Sequence, residues 1–108
     1  MPVSTDLKYF LSCLSAAEHV PRPEGEEWKA TIERLSNPGR IADIDEETFF
    51  YFLEVLPPKY QSGHFFAFAE GAEELRLFWQ ADGQYFCRQL TWVETGQFCQ
   101  LAGISLPS

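Results

Sequence analysis

The chain has little of what many functions are built from. Three cysteines among 108 residues, Cys13, Cys87 and Cys99, are too few and too widely spaced for a disulfide scaffold, and an odd number leaves one unpaired. They read as reduced thiols of a cytosolic protein. No Cys-x-x-Cys pair occurs, and His19 and His64 have no companion at metal-ligand spacing, so no metal site is expected. Lys and Arg number 8 against 16 Asp and Glu, a net charge of −8. That balance argues against direct nucleic-acid binding, which depends on basic residues meeting phosphates. No apolar run approaches the ~18–20 residues of a membrane span, and no basic segment followed by an apolar run opens the chain. Gly-rich phosphate loops, nucleophile elbows and metalloprotease motifs are missing as well. The expectation is a soluble cytosolic protein with no cofactor and no membrane contact.

What is present is enough for a core. Hydrophobic residues make up 45% of the chain, with ten Phe and three Trp, which is ordinary for a globular domain and far from a disordered composition. The length fits one domain, residues 1–108. Leu7, Phe10, Leu11, Leu14 and Ala17 recur at helical spacing, so a first helix is expected over residues 4–20, capped by Ser4 or Thr5 and stopped by Pro21 and Pro23. Residues 24–35 set Trp28, Ile32 and Leu35 on one side of a second helix, ended by Asn37-Pro38-Gly39. Asp43, Asp45, Glu46 and Glu47 precede Phe49, Phe52, Leu53 and Leu56, the pattern of a third helix with acidic residues at its positive end and Pro57-Pro58 after it.

Beyond His64 the period shortens. Three antiparallel strands are expected over residues 64–69, 74–80 and 84–90, with turns at Glu70-Gly71-Ala72 and Ala81-Asp82-Gly83. Thr91-Trp92-Val93-Glu94 is a capping box that opens a last helix to about Ala102, with Gly103 as its stop. The sequence thus predicts an α+β fold of three N-terminal helices, a three-stranded antiparallel meander and a C-terminal helix.

The second hairpin can close in two registers. A two-residue Asp82-Gly83 turn pairs Leu77 with Arg88 and sets the guanidinium into an apolar face; a three-residue loop pairs Trp79 with Tyr85, Leu77 with Cys87 and Arg76 with Arg88. An unpaired buried guanidinium costs several kcal/mol, so the second register is expected. Leu75, Leu77, Trp79, Tyr85 and Cys87 then pack on the helices, while Arg76 and Arg88 emerge side by side with Phe78 and Phe86 on the other face. Like charges so placed call for a carboxylate between them, from a ligand or from Glu54, Glu70, Glu73 or Glu74. Cys87 or Cys99 with His64 has the residue types of a nucleophile and base, but both cysteines fall at core-facing positions without an electropositive setting, so no catalytic residue is expected.

The segment Glu47-Thr-Phe-Phe-Tyr-Phe-Leu-Glu-Val-Leu-Pro-Pro, followed by Gly63-His-Phe-Phe-Ala-Phe-Ala-Glu-Gly and Gly83-Gln-Tyr-Phe-Cys-Arg, resembles a small bacterial family of uncharacterised proteins often encoded near plasmid and phage genes. The resemblance covers about residues 45–90 and implies a mobile-element setting; it carries no activity and no catalytic residues.

Residues 1–54 hold 11 of the acidic and 5 of the basic groups, so the negative charge gathers in the helical half. Solvation and helix N-terminal stabilisation account for such a cluster, and so does steering towards a basic partner. The leading expectation is a non-enzymatic protein-binding module that uses either the acidic surface (Asp43, Asp45, Glu46, Glu47) or the sheet face bearing Arg76, Phe78, Phe86 and Arg88. An acidic inhibitor or nucleic-acid mimic of a defence or regulatory protein, in the manner of an anti-CRISPR, is the first alternative. A small-anion or enzymatic site at the two arginines is the second. An exposed sheet edge offers a route to a homodimer.

Overall fold

The computed structural model describes residues 5–58, 60–62, 65–69 and 75–104. Its elements in chain order are α1 (Thr5–Leu14), β1 (His19–Val20), α2 (Trp28–Leu35), β2 (Ile41–Ile44), α3 (Glu46–Val55), β3 (Tyr60–Ser62), β4 (Phe65–Ala69), β5 (Leu75–Ala81), β6 (Gln84–Gln89) and α4 (Trp92–Ala102). One mixed sheet of six strands runs β1-β2-β6-β5-β4-β3, with β1 parallel to β2 and every other pair antiparallel. The class is α+β, but the arrangement of three helices, a three-stranded meander and a fourth helix is overturned by this sheet.

Three short strands make the difference. Residues 18–20 do not extend the first helix: Ile41 donates from its amide to the Glu18 carbonyl at 2.9 Å, and His19 and Val20 lie in register with Ile41 and Ala42. Residues 41–44 form a strand buried on both faces, with Ile41, Ala42 and Ile44 all below 8% exposed. Asp43 therefore belongs to the sheet, and the third helix begins only after Asp45. The second helix starts at Trp28, leaving residues 24–27 outside it.

Helices cover both sides of the sheet. Leu7, Leu11 and Leu14 of α1 and Phe98 of α4 pack on Ile41, Ala67, Leu75, Leu77, Trp79 and Phe86. Leu35 of α2 and Phe49 and Phe52 of α3 pack on Ala42, Ile44, Phe68, Phe78 and Cys87. Strands buried on both faces lose the alternation of a half-exposed sheet, which is why β5 reads as the continuous run Leu-Arg-Leu-Phe-Trp.

The hairpin register is also corrected. Leu77 faces Arg88, Phe78 faces Cys87, Trp79 faces Phe86, and Arg76 faces Gln89. Asp82 (φ 53°) and Gly83 (φ 76°) both adopt left-handed backbone, as a two-residue type I′ turn requires. Arg76 and Phe78 consequently point to the α2/α3 side, Arg88 and Phe86 to the α1/α4 side, and the arginines are not neighbours across the ladder. Tyr85 and Cys87 likewise share the α2/α3 side, away from Leu75, Leu77 and Trp79.

The sheet edges are β1 and β3, of two and three residues, so each offers a second copy only a short ladder. No helix among the described residues is long and apolar enough to cross a membrane.

A Cβ at Gly83 would meet nothing within 4 Å, so the effect of substitution there is confined to the backbone. Gly83→Ala is expected to lower unfolding free energy by about 1–2 kcal/mol, the cost of forcing an L-residue left-handed, while Asp82→Asn stays near neutral. Urea denaturation reads both; an unchanged midpoint for Gly83→Ala would contradict the two-residue turn.

Candidate functional site

Of the residues singled out in the sequence, the structure buries four. Arg76, Phe78, Phe86 and Arg88 are 8%, 0%, 8% and 6% exposed, so no open sheet face carries them. The paired-arginine site fails on the same geometry, because each guanidinium has its own surroundings on its own side of the sheet. Arg76 donates from Nη2 to Ser36 Oγ at 2.9 Å, beneath the C-terminal, negative end of α2. Arg88 donates from Nη2 to Glu94 Oε2 at 2.9 Å.

Glu94 is the carboxylate that the sequence called for and placed elsewhere. Its Oε1 accepts from the Thr91 amide at 3.0 Å while the Glu94 amide donates to Thr91 Oγ1 at 3.2 Å, the expected capping box. Its other oxygen neutralises Arg88. Burial pushes the Glu94 carboxyl upward, and the hydrogen bonds and charge of Arg88 and the Thr91 amide outweigh it, holding it below the usual carboxylate range. Glu54, one of the partners expected for the arginines, lies exposed on α3; Glu70, Glu73, Glu74 and His64 lie outside the described residues.

The acidic residues converge at the start of α3 and divide into two kinds. Asp43 and Asp45 are engaged: Asp43 Oδ1 meets His19 Nδ1 at 2.9 Å, and Asp45 caps α3, its Oδ1 accepting from the Thr48 amide at 2.8 Å. Asp45 Oδ2 turns outward to Arg22 Nη1 at 3.0 Å. Hydrogen bonds from Thr48, through its hydroxyl and then its amide, overcome burial and hold the Asp45 carboxyl low, with the Arg22 charge adding to the effect. Glu46 and Glu47, in the first turn, are exposed and form no ion pair among the described residues.

Two concavities flank this turn. One, of about 520 Å³, opens between α2 and α3 and is lined by Arg22, Glu26, Trp28, Thr31, Asp45, Glu47, Thr48 and Tyr51. The other, of about 370 Å³, lies towards the β5–β6 turn and is lined by Asp43, Glu46, Gly83, Gln84, Tyr85 and neighbours. Large exposed aromatics stand beside them: Trp28 is 50%, Phe50 48% and Tyr51 46% exposed. In the larger cleft Glu26 is fully engaged, accepting from Arg34 Nε at 2.8 Å, Arg34 Nη2 at 3.0 Å and Thr31 Oγ1 at 2.7 Å. The Arg34 hydrogen bond, over opposing burial and with help from Thr31, keeps its carboxyl low.

Arg22, Trp28 and Tyr51 were not singled out by the sequence as site residues. Trp28 reads there as part of a core stripe, yet it is half exposed: as the first residue of α2 it packs one side on Tyr51 and Phe52 and leaves the other open. The available signal was Pro21-Arg22-Pro23, a stiff extended lead that presents a cation just before that tryptophan.

Among the cysteines, Cys87 is buried, Cys13 is exposed, and burial pushes the Cys99 thiol up, away from reactivity. The described residues contain no group of three or more His, Cys, Asp or Glu arranged to hold a metal ion. The chain matches no family model, no curated protein and no solved structure.

Glu94→Ala removes a cap partner and strands a buried guanidinium, and is expected to destabilise by about 3 kcal/mol against about 1 for Thr91→Ala; adding Arg88→Met should return part of the loss. Glu26, Asp45 and Glu94 all have carboxyls lower than in the unfolded chain. Their stabilisation is complete above the unfolded range, about pH 4–5, and is lost as pH falls through their folded values. The urea midpoint should therefore fall as the pH drops below about 5, less steeply in Glu94→Ala; an equal slope in both proteins would refute the role of Glu94.

Proposed function

We propose that this protein is a non-enzymatic binding module that engages a basic protein partner through the N-terminal edge of α3. The observation that carries this reading is the coincidence, at one edge, of exposed carboxylates that form no ion pair among the described residues and of half-exposed aromatic rings beside two concavities. Interface centres favour Trp and Tyr anchors seated in pockets, while rim charges steer the encounter and set partner choice. Glu46 and Glu47 supply the steering charge, and Trp28, Phe50 and Tyr51 supply apolar area that would otherwise remain in water.

The same edge supports action as an inhibitor if the partner's basic surface is one that handles nucleic acid. A mobile-element setting, implied by the resemblance of residues 45–90, is compatible with that role. Salt dependence and competition separate the two readings: a mimic loses affinity steeply with salt and competes with DNA or RNA.

The test is capture from the native host with the wild-type chain and with Glu46→Lys/Glu47→Lys, which spares the Asp45 cap and so the helix. A specific partner held by the wild type and weakened about tenfold or more by the double reversal is expected, since like-charge juxtaposition costs several kcal/mol. A partner bound equally well by both proteins would reject the α3 edge. Competition of that partner by duplex DNA or RNA would assign the inhibitor role, and its absence would leave the plain binding module.

A further inference from the structure

Resting on the reading of the α3 edge as a contact for a basic partner, we infer that the α2/α3 cleft is the seat of one arginine side chain from that partner, and that Arg22 holds the seat in the free protein. The walls are aromatic. Trp28 and Tyr51 meet edge to face, with ring centroids 5.2 Å apart and planes at 84°, so they form a corner. Phe52 stacks behind the indole at 6.0 Å and 21°, backing Trp28 from the core while half of its surface stays open. Aromatic faces held in this way attract cations, and a planar guanidinium can stack on them as well as donate in the plane.

The polar lining suits the same group. Glu26 is consumed by Arg34 and Thr31, and Oδ1 of Asp45 is consumed by the α3 cap. What remains towards the cleft is Asp45 Oδ2 and the Glu47 carboxylate. The first of these already holds a guanidinium, that of Arg22, with the two side chains 41% and 34% exposed. A guanidinium thus already meets a carboxylate oxygen of the cleft lining that the α3 cap leaves open. A pair so exposed contributes only about 0–1 kcal/mol, so an incoming arginine can displace it. Pro21 and Pro23 fix the backbone on both sides of Arg22, so its side chain can leave without the lead to α2 unravelling. Lysine could satisfy the carboxylate but cannot stack and donate together, and it is therefore the weaker occupant.

The experiment titrates a hexa-arginine peptide, with hexa-lysine for comparison, into the full chain at low salt and follows the indole N–H resonances by NMR. The Trp28 signal should move while that of Trp92, 75% exposed on α4 across the sheet, stays still. Arg22→Gln should tighten hexa-arginine about three- to fivefold by vacating the seat. Arg40→Gln, the same charge change at an exposed site outside the cleft, should alter it less than about twofold. Trp28→Leu and Tyr51→Leu should each weaken it by about fivefold, with thermal unfolding midpoints confirming that these variants are folded. An Arg22→Gln gain no larger than that of Arg40→Gln, hexa-lysine binding as tightly as hexa-arginine, or an unmoved Trp28 signal overturns the inference. If Glu46→Lys, outside this cleft, weakens the peptide while the Arg22, Trp28 and Tyr51 variants do not, the seat falls and the α3 edge stands. Peptide binding that none of the variants changes overturns both.

Discussion

The ion pair between Arg88 and Glu94 is the constraint around which the rest of the fold is arranged. A guanidinium on the apolar side of a central strand is tolerable only with a carboxylate supplied from above, and α4 supplies it from its first turn. That requirement fixes where α4 starts and which side of the sheet it covers. With α4 and α1 on that side, α2 and α3 close the other, and the hairpin takes the two-residue turn that a half-open sheet would have disfavoured. The capping box and the ion pair share one carboxylate, so helix formation and sheet packing are coupled at a single residue.

Covering both faces decides which surfaces are left for function. The central strands are enclosed and the two sheet edges are short, which leaves the outer faces and the ends of the helices. The start of α3 is such a place. Its carboxylates meet the helix's own positive end, but only Asp45 is needed for the cap, and Glu46 and Glu47 remain turned to solvent. Trp28 and Tyr51 stand beside it, the first residue of α2 and the outer face of α3, packed edge to face on each other.

The sequence showed some of this directly and hid the rest for identifiable reasons. Thr91, Glu94 and Gly103 mark the limits of α4 through local chemistry, and the structure places them as expected, with Gly103 left-handed at φ 69°. The three long strands were visible because runs of five to seven residues reveal their type. Strands β1, β2 and β3 are too short for any period to show, and Ile41-Ala42-Asp43-Ile44 was further disguised by an aspartate that belongs with the acidic run in sequence but with the sheet in space. The register error had a different source. That register presumes one open sheet face and an Arg88 without a partner, whereas the Glu94 carboxylate offsets part of the cost of its burial. The acidic residues of the candidate site were legible one by one. Their division into engaged and unengaged groups was not, because Arg22, Trp28 and Tyr51 reach the cleft from three separate segments.

Asp45 faces two ways, one oxygen closing the first turn of α3 and the other reaching the cleft. This limits how the protein can diversify. Drift at position 45 is penalised through the helix whatever its effect on recognition, so the cleft keeps one acidic anchor while its selectivity is free to change at Trp28, Glu47 and Tyr51, where no fold-determining bond is at stake. Related chains that met different partners would be expected to vary at those three positions around an unchanging aspartate.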